Sequence, residues 1–379
     1  MKTLATLFLL LLLVAGAAAG YVYYCIEKPF GTFPAEGAFV DIPHGASQRG
    51  VARLLEKNGV IRNAIAFEIY ARRHPRRTMQ AGEYRFDQPL SGKEVFWKLA
   101  NGQVFVQPFT VREGETMFDI ARDLQDAKFL QADDFLAAAK NPELVRDLAP
   151  HAKTLEGFLY PATYNLPRHP VATELATQMT QKFREEWTKI AQDRSSQAAE
   201  AHGRPILSTV TLASLVERET PKPDERPLVA GVFENRLKIG MPLQCDPTVI
   251  YALEQEGRYS GALSGRDLHE DSPYNTYMHG GLPPGPIGNP GSIALRAALA
   301  PADTPFLYFV ANTQGGHFFS ATLKGHNQNV NRYHRLLAGL PADPPPAPPS
   351  QSKSHSKKPG NPGKRNGAKN NAAKRGSGR

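Results

Sequence analysis

Cysteine is scarce: two residues in 379, Cys25 and Cys245. One lies beside an apolar N-terminal run and the other deep in the chain. A bridge would need their Cα atoms within roughly 7 Å, which this placement argues against. A disulfide framework is therefore excluded, and the exported part must be held by its core. About 310 residues are ample for two or more domains. The histidines His317, His326 and His334 have no tight ligand spacing, so no metal site is expected, and no cofactor motif is present. Charge is absent from Thr3 to Ile26, 24 residues rich in Leu and Ala. Acid is absent from the C-terminal end. From Pro344 onward there are nine Lys/Arg and no Asp or Glu, so the formal net charge of +9 resides there and residues 1–343 sum to zero.

As a helix, the charge-free run is about 36 Å long, enough to cross a hydrocarbon core of about 30 Å with some tilt. Lys2 precedes it, while Glu27 and Lys28 nearly cancel after it. The positive-inside rule then predicts a cytoplasmic N-terminus and a body outside, held as a single-pass inner (plasma) membrane protein. The small residues 15–20 also fit a cleaved signal peptide. The apolar run continuing through Tyr21, Val22, Tyr23, Tyr24 and Ile26 favours an uncleaved anchor with an aromatic belt. Cys25 lacks a lipoprotein box before it. Residues 341–379 combine Pro, Ser, Gly, Asn and Lys/Arg with no large apolar side chain, which predicts a disordered tail behind the stiff spacer Asp343-Pro-Pro-Pro-Ala-Pro-Pro-Ser350. A location outside the membrane makes nucleic acid an unsuitable partner. Anionic head groups, acidic envelope polymers or plain solubilisation remain.

Two stretches are alike at an offset of 69 residues. Ile42-Pro-His-Gly-Ala-Ser-Gln-Arg-Gly-Val-Ala-Arg-Leu-Leu55 aligns with Val111-Arg-Glu-Gly-Glu-Thr-Met-Phe-Asp-Ile-Ala-Arg-Asp-Leu124. Each reads as a strand, a glycine turn, a hydroxyl N-cap (Ser47, Thr116) and an amphipathic helix. Thr116 and Asp119 have capping-box spacing. Phe109 to Thr116 resembles the opening of LysM modules, which bind peptidoglycan chains, so residues 36–150 are predicted to form a small LysM-like α+β region. Ala81-Gly-Glu-Tyr-Arg-Phe86 reads as a turn leading into a strand.

The chemistry points to Leu212-Ala-Ser-Leu-Val-Glu-Arg-Glu-Thr220. A helix of about 100° per residue puts Glu217 and Glu219 about 200° apart. Glu219 falls at i+3, i+4 and i+7 from Val216, Leu215 and Leu212 and shares their apolar stripe. Glu217 goes with Ala213 and Ser214. Burial and the helix C-terminus both disfavour ionised Glu219, which is how a proton donor is made. The same nine residues also fit a solvated helix end with two surface glutamates.

Downstream come Val232-Phe-Glu-Asn-Arg-Leu237, Leu243-Gln-Cys-Asp-Pro-Thr-Val-Ile-Tyr251, Tyr274-Asn-Thr-Tyr277, Gly281-Leu-Pro-Pro-Gly-Pro-Ile287, Thr304-Pro-Phe-Leu-Tyr-Phe-Val310 and Gly315-Gly-His-Phe318. Together with Glu156-Gly-Phe-Leu-Tyr-Pro161, this ordered set over residues 36–336 resembles the YceG-like family, the endolytic murein transglycosylases of the bacterial envelope. The resemblance implies a catalytic domain over 151–340 and places the family's catalytic glutamate on Glu219. It implies endolytic cutting of nascent strands between N-acetylmuramic acid and N-acetylglucosamine, with 1,6-anhydro ends, in partnership with peptidoglycan synthases. Two departures are Pro221 and Pro223, which stiffen the helix exit, and Cys245, where a small polar residue is expected.

Glu156 and Tyr160 fit either sugar contacts or an aromatic core strand, and the resemblance tips them towards the cleft. Gln244, Asp246 and Thr248 would share one side if extended. Asp246 is the natural second acid, or else the cap of a helix over 247–253. Tyr274, Asn275 and Tyr277 suit N-acetyl sugars, or else a turn. Ser292 is expected to cap a helix to about Ala300, and Phe306–Ala311 with His317–Leu323 to form a hairpin. The overall expectation is an α+β enzyme. The alternatives are a non-catalytic wall-binding scaffold, which would not need Glu219, and a lysozyme-type muramidase, which needs a second carboxylate at a set separation.

Overall fold

A computed structural model describes residues 2–192 and 204–341; the predicted C-terminal tail lies almost wholly outside them. Helix α1 (Lys2–Glu27) carries the charge-free run and stands exposed along most of its length. Its apolar segment is long enough to cross a membrane. Only its last turns meet the body, where Cys25 and Ile26 are buried. Both cysteines are free thiols.

The 69-residue offset is real in three dimensions. Strand β1 (Ala38–Ile42) leads through Gly45 to α2 (Gln48–Lys57), then α3 (Ala64–Arg72) and β2 (Gly82–Phe86). After α4 (Gly92–Ala100), β3 (Gln107–Thr110) leads through Gly114 to α5 (Met117–Asp126), α6 (Ala132–Ala139) and β4 (Thr163–Leu166). Both turn glycines have positive φ, +74° and +83°, a region that costs other residues strain. The Ser47 hydroxyl caps α2 on Gly50 N–H, and Thr116 with Asp119 completes the capping box on α5. β1 pairs antiparallel with β2, and β3 with β4, setting Val40 opposite Tyr84 and Phe109 opposite Tyr164.

Two apolar cores result. The first, residues 40–100, is built on Phe67, Tyr84, Phe86 and Phe96. The second begins at Phe109 and continues through Phe158, Phe183, Leu212 and Phe233 to Ala298. It crosses residue 150 without a break. The second strand–helix–helix–strand unit thus shares its core with the segment that follows, whereas the sequence alone grouped it with residues 36–100. The physical reason lies in the sheet, because its partner strand β4 begins only at Thr163.

The rest of the second core is helical: α7 (Ala172–Gln192), α8 (Ile206–Glu219), α9 (Arg226–Lys238), α10 (Asp246–Gln255) and α11 (Ser292–Leu299). The expected hairpin follows as β5 (Tyr308–Ala311) and β6 (His317–Ser320), then α12 (Leu323–Leu337). The α+β character and the single long apolar N-terminal helix are as the sequence predicted.

Candidate active site

Helix α8 is not amphipathic. Every residue from Thr209 to Glu217 is buried, the Ala213/Ser214 side included. A helix enclosed all round has no stripe, so periodicity could not separate the two glutamates; their partners do. The Glu217 carboxylate accepts from the Arg226 guanidinium, and from Gly291 N–H at 3.0 Å. Both ion-pair side chains are nearly inaccessible, at 4% and 5%. Burial pushes the Glu217 pKa up, while the Gly291 N–H and Arg226 oppose the shift. Glu217 therefore does the job expected of Ser292: Gly291 is the N-cap of α11, no side chain of that helix caps it, and the Glu217 carboxylate takes the free N–H.

Glu219 ends α8 and is only partly exposed. Burial raises its pKa; the Cys245 thiol, which hydrogen-bonds to it, pulls the other way, and the nearby Asp246 charge adds to the rise. His317 and Arg236 lie close enough to favour its ionised form, yet no cation forms an ion pair with it among the described residues. Burial thus favours the protonated form of this carboxyl, the form that acid–base work needs from a proton donor.

Stiff surroundings fix Glu219. The exit through Pro221 and Pro223 is tied down when Lys222 N–H donates to Thr220 Oγ1 at 3.2 Å. Glu225, just beyond, accepts from His317 N–H at 3.1 Å, and its other oxygen meets the His317 ring at 2.8 Å. That contact joins the hairpin to the helix exit. Arg236 on α9 donates to the carbonyls of Leu307 and Leu243, each at 2.7 Å, pinning β5 and the 243–246 segment behind the site. Sequence reading passed over Arg236 and Glu225 and considered His317 as a metal ligand, which its spacing argued against. The sole available signal was that Arg236 and His317 fall inside the quoted motifs.

The predicted sugar contacts divide. Asp246 is exposed and accepts from the Tyr277 hydroxyl, and both interact electrostatically with Glu219. Gln244 is exposed beside them in a left-handed conformation, φ +49°. Thr248 does not join them. The extended segment stops at Cys245 and α10 starts at Asp246, so Thr248 turns inward and bonds to Cys245 O at 2.6 Å and to Thr276 Oγ1 at 3.0 Å. Asp246 is the first helical residue rather than the cap. Asn275 is fully buried, donating to Leu268 O and Glu270 O and accepting from Tyr277 N–H. It shapes the loop that presents Tyr277. Tyr274 is half-buried, its ring 5.0 Å from that of Tyr251. Tyr160 is nearly buried near Ser292.

Glu156 lies in the interior. It accepts Met117 N–H at 3.0 Å, capping α5, and the Asn289 amide at 2.9 Å. Asn289 in turn accepts Gly157 N–H and Leu159 N–H and donates to Glu115 O. Gly157 has φ +86°, and a Cβ there would lie 2.5 Å from Pro286. This network clamps α5 to the proline-rich loop 283–290. Burial pushes the Glu156 pKa up to about 8. The unfolded chain loses this proton near pH 4.5 and the folded chain keeps it to about 8, so stability falls as pH rises between those values and the full cost persists above them. Glu156→Gln is expected to flatten that slope and to raise the melting temperature at pH 8.5 relative to wild type, as scanning calorimetry across pH would show.

The model of the YceG-like family matches residues 40–332. The endolytic murein transglycosylase of Bacillus subtilis is 33% identical over 309 residues, covering 78% of this chain and 84% of that protein. Its Streptococcus pneumoniae namesake is 29% identical over 354 residues, 86% of this chain but 63% of that longer protein. The crystal structure of a putative yceG-like protein from Listeria monocytogenes superposes with a TM-score of 0.51 at 33% identity, covering 78% of this chain and 99% of that one. With a match across most of its length and the motif glutamate at the mouth of a fixed, partly exposed site, this chain belongs to the YceG-like family.

Proposed function

We propose that the chain is a membrane-held lytic transglycosylase that cuts peptidoglycan strands endolytically, with Glu219 as the sole acid/base. The observation that carries this reading is the state of Glu219: raised in pKa by burial, in no ion pair among the described residues, yet partly exposed to solvent. The curated relatives' name, endolytic murein transglycosylase, supports the substrate class. The bond cut is that between N-acetylmuramic acid and N-acetylglucosamine. Protonated Glu219 donates to the glycosidic oxygen as the C1–O bond breaks. The ionised carboxylate then takes the proton from the muramic C6 hydroxyl as that oxygen closes onto C1. No water is consumed, and a 1,6-anhydro end results.

Gln244, Asp246, Tyr274 and Tyr277 are the residues offered to the strand. The two strand–helix–helix–strand units, LysM-like in the Phe109–Thr116 opening, hold it nearby. α1 spans the inner membrane with its N-terminus in the cytoplasm, which places the cut close to newly made strands and to the synthases that extend them. Mass analysis of fragments released from purified sacculi tests the chemistry. Muramic ends one water lighter than the reducing sugar are expected; reducing ends instead would convert the reading to a muramidase using Asp246 as second acid.

A further inference from the structure

The first strand–helix–helix–strand unit packs against the C-terminal part of α1. A groove of about 530 Å³ runs between α1 and α3, lined on one side by Ala18, Ala19 and Val22 and on the other by Ile69, Tyr70 and Arg73. A core about 30 Å thick takes up ~20 helical residues. A span that begins at Thr3 therefore reaches the outer boundary near Val22 and Tyr23. The same groove also touches Tyr23, Ile26 and Glu27, so α3 flanks α1 across this boundary.

The outward face of α3 suits that position. Ala64, Phe67 and Ala71 are buried in the first core, while Ile65 is 68% and Ile69 37% exposed. α3 ends at Arg72, and the turn that follows carries Arg73, Arg76 and Arg77, all exposed like Arg72; the helix's one acid, Glu68, pairs with Arg72 at 2.6 Å. Exposed isoleucines on a short helix, with arginines gathered at its C-terminal end and in the turn after it, suit a membrane interface: apolar side chains enter the acyl boundary and guanidiniums reach phosphate. The exposed Tyr21, Tyr23 and Tyr24 of α1 stand at the same level.

We propose that α3 docks into the outer-leaflet interface, with Ile65 and Ile69 inserted and Arg73 and Arg76 on the phosphates of anionic phospholipids, an acyl chain filling the α1–α3 groove. This rests on α1 being the membrane span. It makes the first unit a second membrane contact that fixes the height and heading of the body, rather than a domain swinging on a single helix.

The test uses the full chain in lipid nanodiscs containing phosphatidylglycerol, with a nitroxide side chain placed at position 65, at 10 or at 133 in separate preparations. Accessibility to oxygen against a water-soluble nickel chelate reads depth. Position 10 is expected in the core and position 133 in water. Position 65 is expected about 5–10 Å into the head-group–acyl boundary. Arg73→Gln with Arg76→Gln, or neutral phosphatidylcholine discs, should move position 65 outward. An aqueous position 65 with position 10 still in the core would overturn the docking while leaving the span intact. An aqueous position 10 would remove the span, and the docking with it. A depth at 65 indifferent to both lipid charge and the arginine substitutions would overturn the phosphate contact.

Discussion

Glu219→Gln is expected to lower kcat on isolated glycan strands by about 10²–10⁴-fold, the range for losing a general acid–base, and towards its upper end because one group serves in both steps. At 10⁴-fold this is about 5 kcal/mol in the barrier. Glutamine keeps the shape and can still accept from Cys245, so folding and strand binding should persist; KM or a direct binding measurement separates the two. The pH profile of the wild type carries the same information. The proton donor is the protonated form, and burial raises the pKa of Glu219. Activity should therefore survive below that pKa and fall as pH rises through it, on a limb lying higher than an ordinary glutamate would give. Undiminished turnover in Glu219→Gln would remove Glu219 from the mechanism.

The proposal of Glu219 rests on the sequence's motifs and not on the route that helical periodicity offered. Leu212, Leu215 and Val216 are buried, but so are Ala213 and Ser214 opposite them, so no stripe marks one face. What singled out Glu219 was the ordered motif set. The structure adds the physical distinction, since Glu217 has an arginine and a helix N-terminus, and Glu219 has neither. Local signals fared well where the chain's own neighbours decide the outcome. The repeat, its caps and its turn glycines follow from residues within ten positions, and the structure has them at the predicted offset. Signals failed where distant chain decides. Glu156 is claimed by Met117 and Asn289, 39 and 133 residues away. Thr248 is claimed by Thr276. Nothing near either residue announces those partners, so both looked available for sugar. Asn275 differs: its amide acceptors, Leu268 and Glu270, are near in sequence, but the loop that brings them round has no periodic pattern to read.

The largest stability effect should come from Arg226. Its guanidinium is enclosed between Glu217 and Glu113, at 3.4 Å from the latter, and Glu217 itself is sealed beneath it. Arg226→Met keeps an unbranched apolar stem and removes the guanidinium and its charge. It leaves the Glu217 carboxylate in the interior with Gly291 N–H as its remaining described hydrogen-bond donor. Breaking a buried pair from one side costs about 3–5 kcal/mol, because the abandoned charge has no water to return to. Glu217→Gln in the same background should recover much of the loss, since glutamine has no charge to strand and its amide oxygen can still accept Gly291 N–H. Denaturant midpoints of the two single variants and the double variant form the cycle that measures this coupling. Activity should follow the same order. Glu217 joins the last turn of α8 to α9 and α11, and Glu219 is two residues further on, so a loosened turn displaces the acid without altering it. The Arg226→Met enzyme should therefore lose kcat while keeping the alkaline limb of its pH profile close to that of the wild type. A limb moved far from its wild-type position would show that the pair tunes Glu219 electrostatically. Additive single effects, with no recovery in the double variant, would show that the ion pair is not what holds the turn.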